Sequence, residues 1–144
     1  MIKFISAKDV LPLRNQVLRE GKLQDHECAL PLDEEPESFH LGYFVANELV
    51  SIATFHIVPK EGFAGLGYQL RGMATDEGFR AKGYGNMLIN FAIVYLRGKK
   101  ANYLWCNARK VAYKFYEGLG FEFISDEFEI SGIGPHKCMY LKIQ

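Results

Sequence analysis

The chain has 144 residues, of which 49% are hydrophobic and 24% charged, and its 17 basic and 17 acidic residues give a formal net charge of zero. This length and composition predict one domain over residues 1–144. The balanced charge argues against a dedicated nucleic-acid-binding protein. Basic residues gather in the middle of the sequence, between acidic segments at 32–37 and 125–129, which suits either an anionic ligand or a solvated surface.

Cysteine and histidine spacing gives no sign of a disulfide framework or a metal site. The 3 cysteines form no CxxC pair, and the 4 histidines form no HExxH or similar pattern. No signal peptide opens the sequence, and no apolar run reaches the roughly 18 residues of a membrane-spanning helix. We therefore expect a cytoplasmic protein with no metal and no membrane partner.

Runs of β-forming residues alternate with segments of helical periodicity along the chain. In chain order, the predicted elements are a strand over 1–5, a helix over 7–20, a long loop over 21–38, a hairpin over 39–58 with its turn at 46–48, a strand over 68–75, a helix over 84–96, a strand over 102–106, a helix over 107–120 and final strands over 121–130 and 136–143. This order predicts an α/β (α+β) fold, in which helices cover the faces of a mixed sheet.

The stretch RAKGYG, from Arg80 to Gly85, lies where the helix over 84–96 begins. The first turn of a helix leaves backbone N–H groups unpaired and carries partial positive charge, and glycines let the backbone approach a ligand closely. These properties predict an anion site. The spacing fits neither GxxxxGK[ST] nor GxGxxG. The alternative is an ordinary turn from strand to helix that happens to contain glycines.

A second stretch, NARKVAYKFYEGLGFEF over 107–123, follows the next predicted strand. Together the two stretches resemble the GNAT superfamily of N-acetyltransferases. Arg80, Gly83 and Gly85 match the Arg/Gln-x-x-Gly-x-Gly/Ala motif of that family. The later family pattern is matched by Asn107, Ala112, Phe115, Tyr116, Glu117, Gly120 and Phe121. The resemblance covers most of the chain and is clearest from about residue 39 onward.

The resemblance implies a centrally splayed sheet, with a bulge in the strand before the glycine turn, and acetyl-CoA as co-substrate. It also implies which residues bind that co-substrate: Met73, Ala74 and Thr75 the pantetheine arm, and Arg80, Ala81, Lys82, Gly83, Tyr84, Gly85 and Asn86 the pyrophosphate. Asn107 and Tyr116 are implied to line the acetyl and thiol end, with Phe115 packed alongside. When an amine attacks the thioester directly, the reaction needs a hydrogen-bond donor that stabilises the oxyanion and an acid that gives a proton to the departing thiolate.

Tyr116 is implied to be the group that gives this proton, since a phenol has a pKa of about 10. Its alternative role is that of a packed helix aromatic with its hydroxyl in water. Asn107 also suits the N-cap of the predicted helix over 107–120, in which Val111 and Phe115 share the apolar face. Arg71 interrupts an apolar strand. Its side chain either faces the cleft and binds an acidic acceptor, or faces out and is solvated or paired with a neighbouring carboxylate.

The general base is left open. Some members of the family carry a glutamate at the place of Gln69, and an amide cannot act as a base. His40 and His56 lie on the predicted hairpin, and imidazole titrates near pH 6.5. His56 is in phase with apolar residues of its strand, which favours a core position. Glu77 and water are the other candidates.

The leading functional hypothesis is transfer of an acetyl group from acetyl-CoA to the primary amine of a small molecule. The alternatives are a protein acetyltransferase, acting on lysine or an α-amino group, and a CoA-binding sensor without catalysis. The acceptor, the length of the acyl group and the oligomeric state stay open, although the resemblance makes a homodimer possible.

Overall fold

A computed structural model describes the whole chain, residues 1–144, and it contains one mixed sheet of 8 strands. The strands are β1 (Ile2–Ile5), β2 (Phe39–Val45), β3 (Glu48–Ile57), β4 (Gly67–Thr75), β5 (Tyr103–Arg109), β6 (Glu122–Phe123), β7 (Phe128–Ile130) and β8 (Gly134–Lys142). Their order is β1-β2-β3-β4-β5-β8-β6, with β7 also paired to β8. The mixed α/β fold predicted from the sequence is confirmed.

Helices connect the strands at three places. The α-helices are α1 (Leu11–Leu13), α2 (Tyr84–Gly98) and α3 (Tyr113–Gly118). Short 3-10 helices at Lys8–Val10, Asp25–Cys28, Glu77–Phe79 and Lys110–Ala112 and a π-helical turn at Arg14–Leu18 complete the helical structure. The predicted helix over 7–20 is therefore a succession of a 3-10, an α and a π turn. We call residues 8–18 the N-terminal helical segment.

The chain forms two compact units. The first unit contains Met1–Ile57 and Leu70–Ala92, and the second contains Val58–Gln69 and Ile93–Gln144. Strand β4 and helix α2 each contribute to both units. The prediction of a single domain stays a prediction.

In the first unit, β3 contributes core residues from both faces because its side chains alternate. Ile52 packs with Val10 and Leu13 of the N-terminal helical segment and with Ala74 of β4. Neighbouring residues of β3 point the other way, where Phe55 stacks on Phe39 with ring centroids 4.7 Å apart. Burial of such apolar side chains contributes roughly 1.5–3 kcal/mol each, which makes this sheet the framework of the unit.

The hairpin of β2 and β3 closes through a two-residue turn. Val45 pairs with Glu48, and the intervening Ala46 and Asn47 have φ of 49° and 68°. Two successive residues with positive φ are typical of the type I′ turn, whose twist matches that of the strands, and asparagine is favoured there. Glu48, placed in the turn by the sequence prediction, instead begins β3.

In the second unit, β5 pairs with β8 along its whole length, from Tyr103–Lys142 to Arg109–His136. Trp105 of β5 is 7% exposed, and its indole N–H donates to the Val58 carbonyl oxygen at 2.8 Å. The Lys60 ammonium lies 5.1 Å from the Trp105 ring centroid. These contacts tie the segment before β4 to β5.

The predicted helix over 107–120 was wrong at its start. Residues 107–109 continue β5 because they complete the ladder with β8, and α3 begins only at Tyr113. Asn107 is therefore a strand residue and not a helix N-cap. Val111 was expected on an apolar face but is 93% exposed, since it lies in the 3-10 turn before α3.

The predicted strand over 121–130 is two strands, β6 and β7. Between them the Ser125 hydroxyl accepts the Cys138 N–H at 2.9 Å and donates to the Asp126 carbonyl oxygen at 2.9 Å. A side-chain oxygen thus replaces a backbone partner at this point of the ladder, and the strand is interrupted.

Candidate active site

Strand β4 leaves its parallel partner early. The two central strands pair only from Gly67–Tyr103 to Gln69–Trp105, although β4 continues to Thr75 and β5 to Arg109. Within the continuing part, Gly72 has φ of +60°. That conformation is disfavoured for residues with a side chain and breaks the regular geometry of the strand. The structure thus has an irregular β4 where the family resemblance implied a bulge.

The three residues after Gly72 are held by β3. Met73 and Thr75 are half-buried and Ala74 is 4% exposed. The Ser51 hydroxyl lies 2.8 Å from Thr75 Oγ1 and donates to the Ala74 carbonyl oxygen at 3.3 Å. The backbone of these three residues is fixed from one side by these contacts.

The segment from Asp76 to Gly83 is a structured turn. The Asp76 N–H donates to the Val50 carbonyl oxygen at 2.8 Å, and the Asp76 carboxylate accepts the Gly78 N–H at 3.0 Å. Ala81 and Gly83 have φ of 62° and 83°. Positive φ at alanine costs of order 1–2 kcal/mol, so surrounding structure imposes this conformation.

Helix α2 begins where RAKGYG predicted. Its first intrahelical bond runs from the Met87 N–H to the Gly83 carbonyl oxygen at 3.0 Å, so the N–H groups of the preceding residues have no helical acceptor. Tyr84 is fixed by its ring, which stacks on Tyr43 at 4.3 Å between centroids. The Arg80 and Lys82 side chains are exposed beside this turn. Unpaired N–H groups, the helix dipole and two cations favour an anion here.

In the second unit, Tyr116 is a buried residue of α3. It is 6% exposed, and its ring makes edge contacts with Phe115 at 5.0 Å and Phe121 at 5.3 Å between centroids. Burial, and secondarily the neighbouring Cys106, raises the pKa of Tyr116 well above its usual value. The phenol is therefore fully protonated at neutral pH. The Asn107 side chain is exposed on β5.

Sequence reasoning missed a buried polar cluster in the first unit, formed by Arg14, Asp33, His40, Thr54 and His56. The Arg14 guanidinium binds the Asp33 carboxylate through two bonds, Nη1–Oδ2 at 2.7 Å and Nη2–Oδ1 at 3.1 Å. The side chains of this pair are 4% and 3% exposed. Arg14 lies in the predicted helix over 7–20, and Asp33 lies in the acidic segment over 32–37. Neither pattern indicates that the two residues form a buried pair, which only the three-dimensional contact reveals.

The Asp33 carboxylate is the centre of this cluster. It also accepts from His56 Nε2 at 2.9 Å and from the Leu30 N–H at 2.8 Å. Burial by itself raises the pKa of Asp33, but the hydrogen bonds from His56, Arg14 and Leu30 outweigh it, and the pKa lies well below its usual value. Asp33 is thus ionised, although it is buried.

The cluster engages both histidines that were candidate bases. His40 Nε2 lies 3.0 Å from the Asp33 carbonyl oxygen, which only accepts, so this nitrogen carries the proton and Nδ1 accepts from the Thr54 hydroxyl at 2.7 Å. Burial lowers the pKa of His40. His56 is 1% exposed, which confirms its predicted core position. Glu77 is exposed in the turn after β4, and Arg71 is exposed on β4.

None of the helices combines the length and the apolar character needed to cross a membrane. No group of three or more histidine, cysteine, aspartate or glutamate side chains is arranged to hold a metal ion.

Comparison with known proteins identifies the fold. The sequence model of the acetyltransferase (GNAT) family matches residues 9–121. The uncharacterized N-acetyltransferase YitI of Bacillus subtilis (strain 168) is 36% identical over 140 residues, 96% of this chain and 93% of that protein.

Solved structures give the same result at lower identity. An aminoglycoside 6′-N-acetyltransferase complexed with coenzyme A superposes with a TM-score of 0.77 at 16% identity, covering 100% of this chain and 97% of that one. FeeM, an N-acyl amino acid synthase from uncultured soil microbes, superposes with a TM-score of 0.79 at 15% identity, covering 99% and 95%.

By fold and sequence, the molecule is an N-acetyltransferase. It belongs to the acetyltransferase (GNAT) family, and the resemblance drawn from RAKGYG and the Phe115–Phe121 stretch is confirmed.

Proposed function

We propose that the enzyme transfers an acetyl group from acetyl-CoA to the primary amine of a small molecule, by direct attack within a ternary complex. The observation that carries this proposal is the turn from Arg80 to Asn86, where positive φ at Ala81 and Gly83 precedes a helix start with unpaired N–H groups. The superposition on an aminoglycoside acetyltransferase that holds coenzyme A supports both the donor and the small-molecule acceptor.

Each unit has its own task in this proposal. In the first unit, the N–H groups of Lys82 to Asn86 bind the pyrophosphate, with the Arg80 and Lys82 side chains adding charge. The β4 backbone at Met73–Thr75 pairs with the pantetheine arm. In the second unit, Asn107 and Tyr116 line the acetyl and thiol end with Phe115 packed alongside, and the Tyr116 hydroxyl acts on the sulfur. Acetyl-CoA supplies the activated thioester carbonyl.

Tyr116 is the proton donor in the proposed reaction. The amine nitrogen forms a bond to the thioester carbon, the carbon–sulfur bond then breaks, and the Tyr116 hydroxyl gives its proton to the departing sulfur. The raised pKa keeps Tyr116 protonated at neutral pH before the transfer, and the tyrosinate left behind takes up a proton from water afterwards. The proton lost by the amine leaves to water or to the exposed Glu77, since both His40 nitrogens are hydrogen-bonded and His56 is buried.

Calorimetric titration with acetyl-CoA, CoA and ATP tests the donor. We expect acetyl-CoA and CoA to bind well below millimolar concentration and ATP to bind weakly. Gly83→Ala, at φ of +83°, should weaken CoA binding by about tenfold or more. Gly98→Ala is the matched control at the other end of α2, where a Cβ meets no atom within 4 Å, and should leave binding unchanged.

An amine panel tests the acceptor. Turnover of small amines, with peptides inert, supports the proposal, whereas turnover of peptides alone would indicate a protein acetyltransferase. CoA binding without turnover of any amine would favour the sensor. No binding of CoA at millimolar concentration would refute the proposal as a whole.

A further inference from the structure

The irregular point of β4 lies directly against the buried cluster. A Cβ built at Gly72 would stand 2.8 Å from Arg14 Nε and 3.5 Å from Arg14 Cζ. The φ of +60° at Gly72 and this close approach both require glycine. The β4 backbone therefore passes over the guanidinium at van der Waals distance.

The guanidinium is fixed in place. Its two terminal nitrogens donate to the Cys28 carbonyl oxygen at 3.0 Å, to both Asp33 carboxylate oxygens and to Thr54 Oγ1 at 2.8 Å. These acceptors come from separate segments of the first unit, and Arg14 is 3% exposed. A planar group held at both of its ends cannot turn away from β4.

One polar group of this side chain is unused. Arg14 Nε is buried and has no hydrogen-bond partner, and it is the atom nearest to the position of a Gly72 Cβ. A buried N–H without a partner costs free energy, and the remaining contacts of the folded protein must offset that cost to keep Arg14 Nε under β4. The next residues along the strand are Met73, Ala74 and Thr75, which Ser51 holds at their far end.

We propose that Arg14, oriented by Asp33 and Thr54, is a positioning residue that sets the backbone of β4 at Gly72. It thereby aligns the N–H and carbonyl groups of Met73–Thr75 with the pantetheine arm of acetyl-CoA. This inference rests on the proposed function. Arg14 touches no part of the co-substrate and acts through the strand.

The test compares two ligands that differ in the pantetheine arm. CoA contains adenosine 3′-phosphate, the pyrophosphate and the pantetheine arm, whereas ADP contains adenosine and the pyrophosphate and lacks the pantetheine arm. In Arg14→Lys, which keeps the charge and loses the planar fork, we expect the CoA dissociation constant to rise about tenfold or more and that of ADP to change by less than about twofold. Calorimetry well below the melting temperature measures both.

The controls separate positioning from general loss of stability. Leu41→Val alters a fully buried residue of β2 outside the cluster and should change neither constant. Gly72→Ala should weaken CoA binding as Arg14→Lys does, and the double variant should be no weaker than the worse single variant, because both act through the same strand. If Arg14→Lys does not fold, Thr54→Val, which removes one acceptor, supplies the same comparison.

The results that overturn the inference are distinct. A folded Arg14→Lys or Thr54→Val protein with unchanged CoA affinity refutes it, and so does an equal weakening of CoA and ADP. Additive effects in the double variant also refute it. A wild-type protein that binds no CoA refutes the proposed function first, and the inference with it.

Discussion

Neutralising Asp33 should destabilise the folded protein strongly. In Asp33→Asn the shape is kept, but an amide nitrogen replaces an oxygen that accepts from Arg14 or His56, and the buried guanidinium loses its counter-charge. Breaking a buried ion pair by removing one partner costs about 3–5 kcal/mol. For a chain of this size that lowers the melting temperature by about 6–20 °C.

Urea unfolding at neutral pH, followed by far-ultraviolet circular dichroism, measures the loss, and calorimetry gives the change in melting temperature. Glu34→Gln is the matched control, since Glu34 is the exposed neighbour of Asp33. It should change the free energy of unfolding by less than about 0.5 kcal/mol.

A loss of less than about 1 kcal/mol in Asp33→Asn would refute the reasoning, because the carboxylate would then not be compensating a buried cation. The double variant Arg14→Met/Asp33→Leu gives a further check. Replacing the whole ion pair by apolar side chains of similar size should recover much of the stability lost in Asp33→Asn.

Three further predictions concern pH, catalysis and backbone strain. Because the pKa of His40 is lowered in the folded protein, the unfolded chain binds a proton on this imidazole at higher pH than the folded protein does. The free energy of unfolding should therefore fall as pH drops below about 6.5, by at most about 1.4 kcal/mol per pH unit. His40→Gln should reduce that slope in urea titrations, and a flat wild-type profile would contradict this. Tyr116→Phe should lower kcat by about 100-fold or more with CoA affinity unchanged, and full activity across the pH range would exclude the acid role. Ala81→Gly should raise the free energy of unfolding by about 1 kcal/mol in urea titrations by relieving positive φ, and no gain would show that the strain is absent.

The parts of the fold that the sequence predicted are those with local causes. Helix α2 begins at Tyr84 as predicted because glycines and helical periodicity meet within a few residues of each other. The hairpin closes near Asn47 because asparagine tolerates positive φ, and that preference is visible in the sequence.

The parts that could not be predicted depend on distant partners. Arg14 and Asp33 are separated by 19 residues, and Asp33 lies in an acidic run that resembles a solvated surface. Nothing in that run distinguishes the buried Asp33 from the exposed Glu34. Asn107 suited a helix start by residue type, but pairing with Cys138 of β8 decides its conformation. The glycine turn of the candidate site could therefore be predicted from the sequence, whereas the buried Arg14–Asp33 pair next to Gly72 could not.

The single tryptophan makes the second unit optically distinct. Trp105 is buried there, hydrogen-bonded to Val58 and covered by Lys60, and the first unit contains no indole. Its fluorescence should therefore follow the melting of the second unit alone, while circular dichroism follows both. Coincident transitions would show one cooperative domain, as the sequence predicts, and separate midpoints would give each unit its own stability. Trp105 thus provides a native probe of cooperativity that needs no labelling.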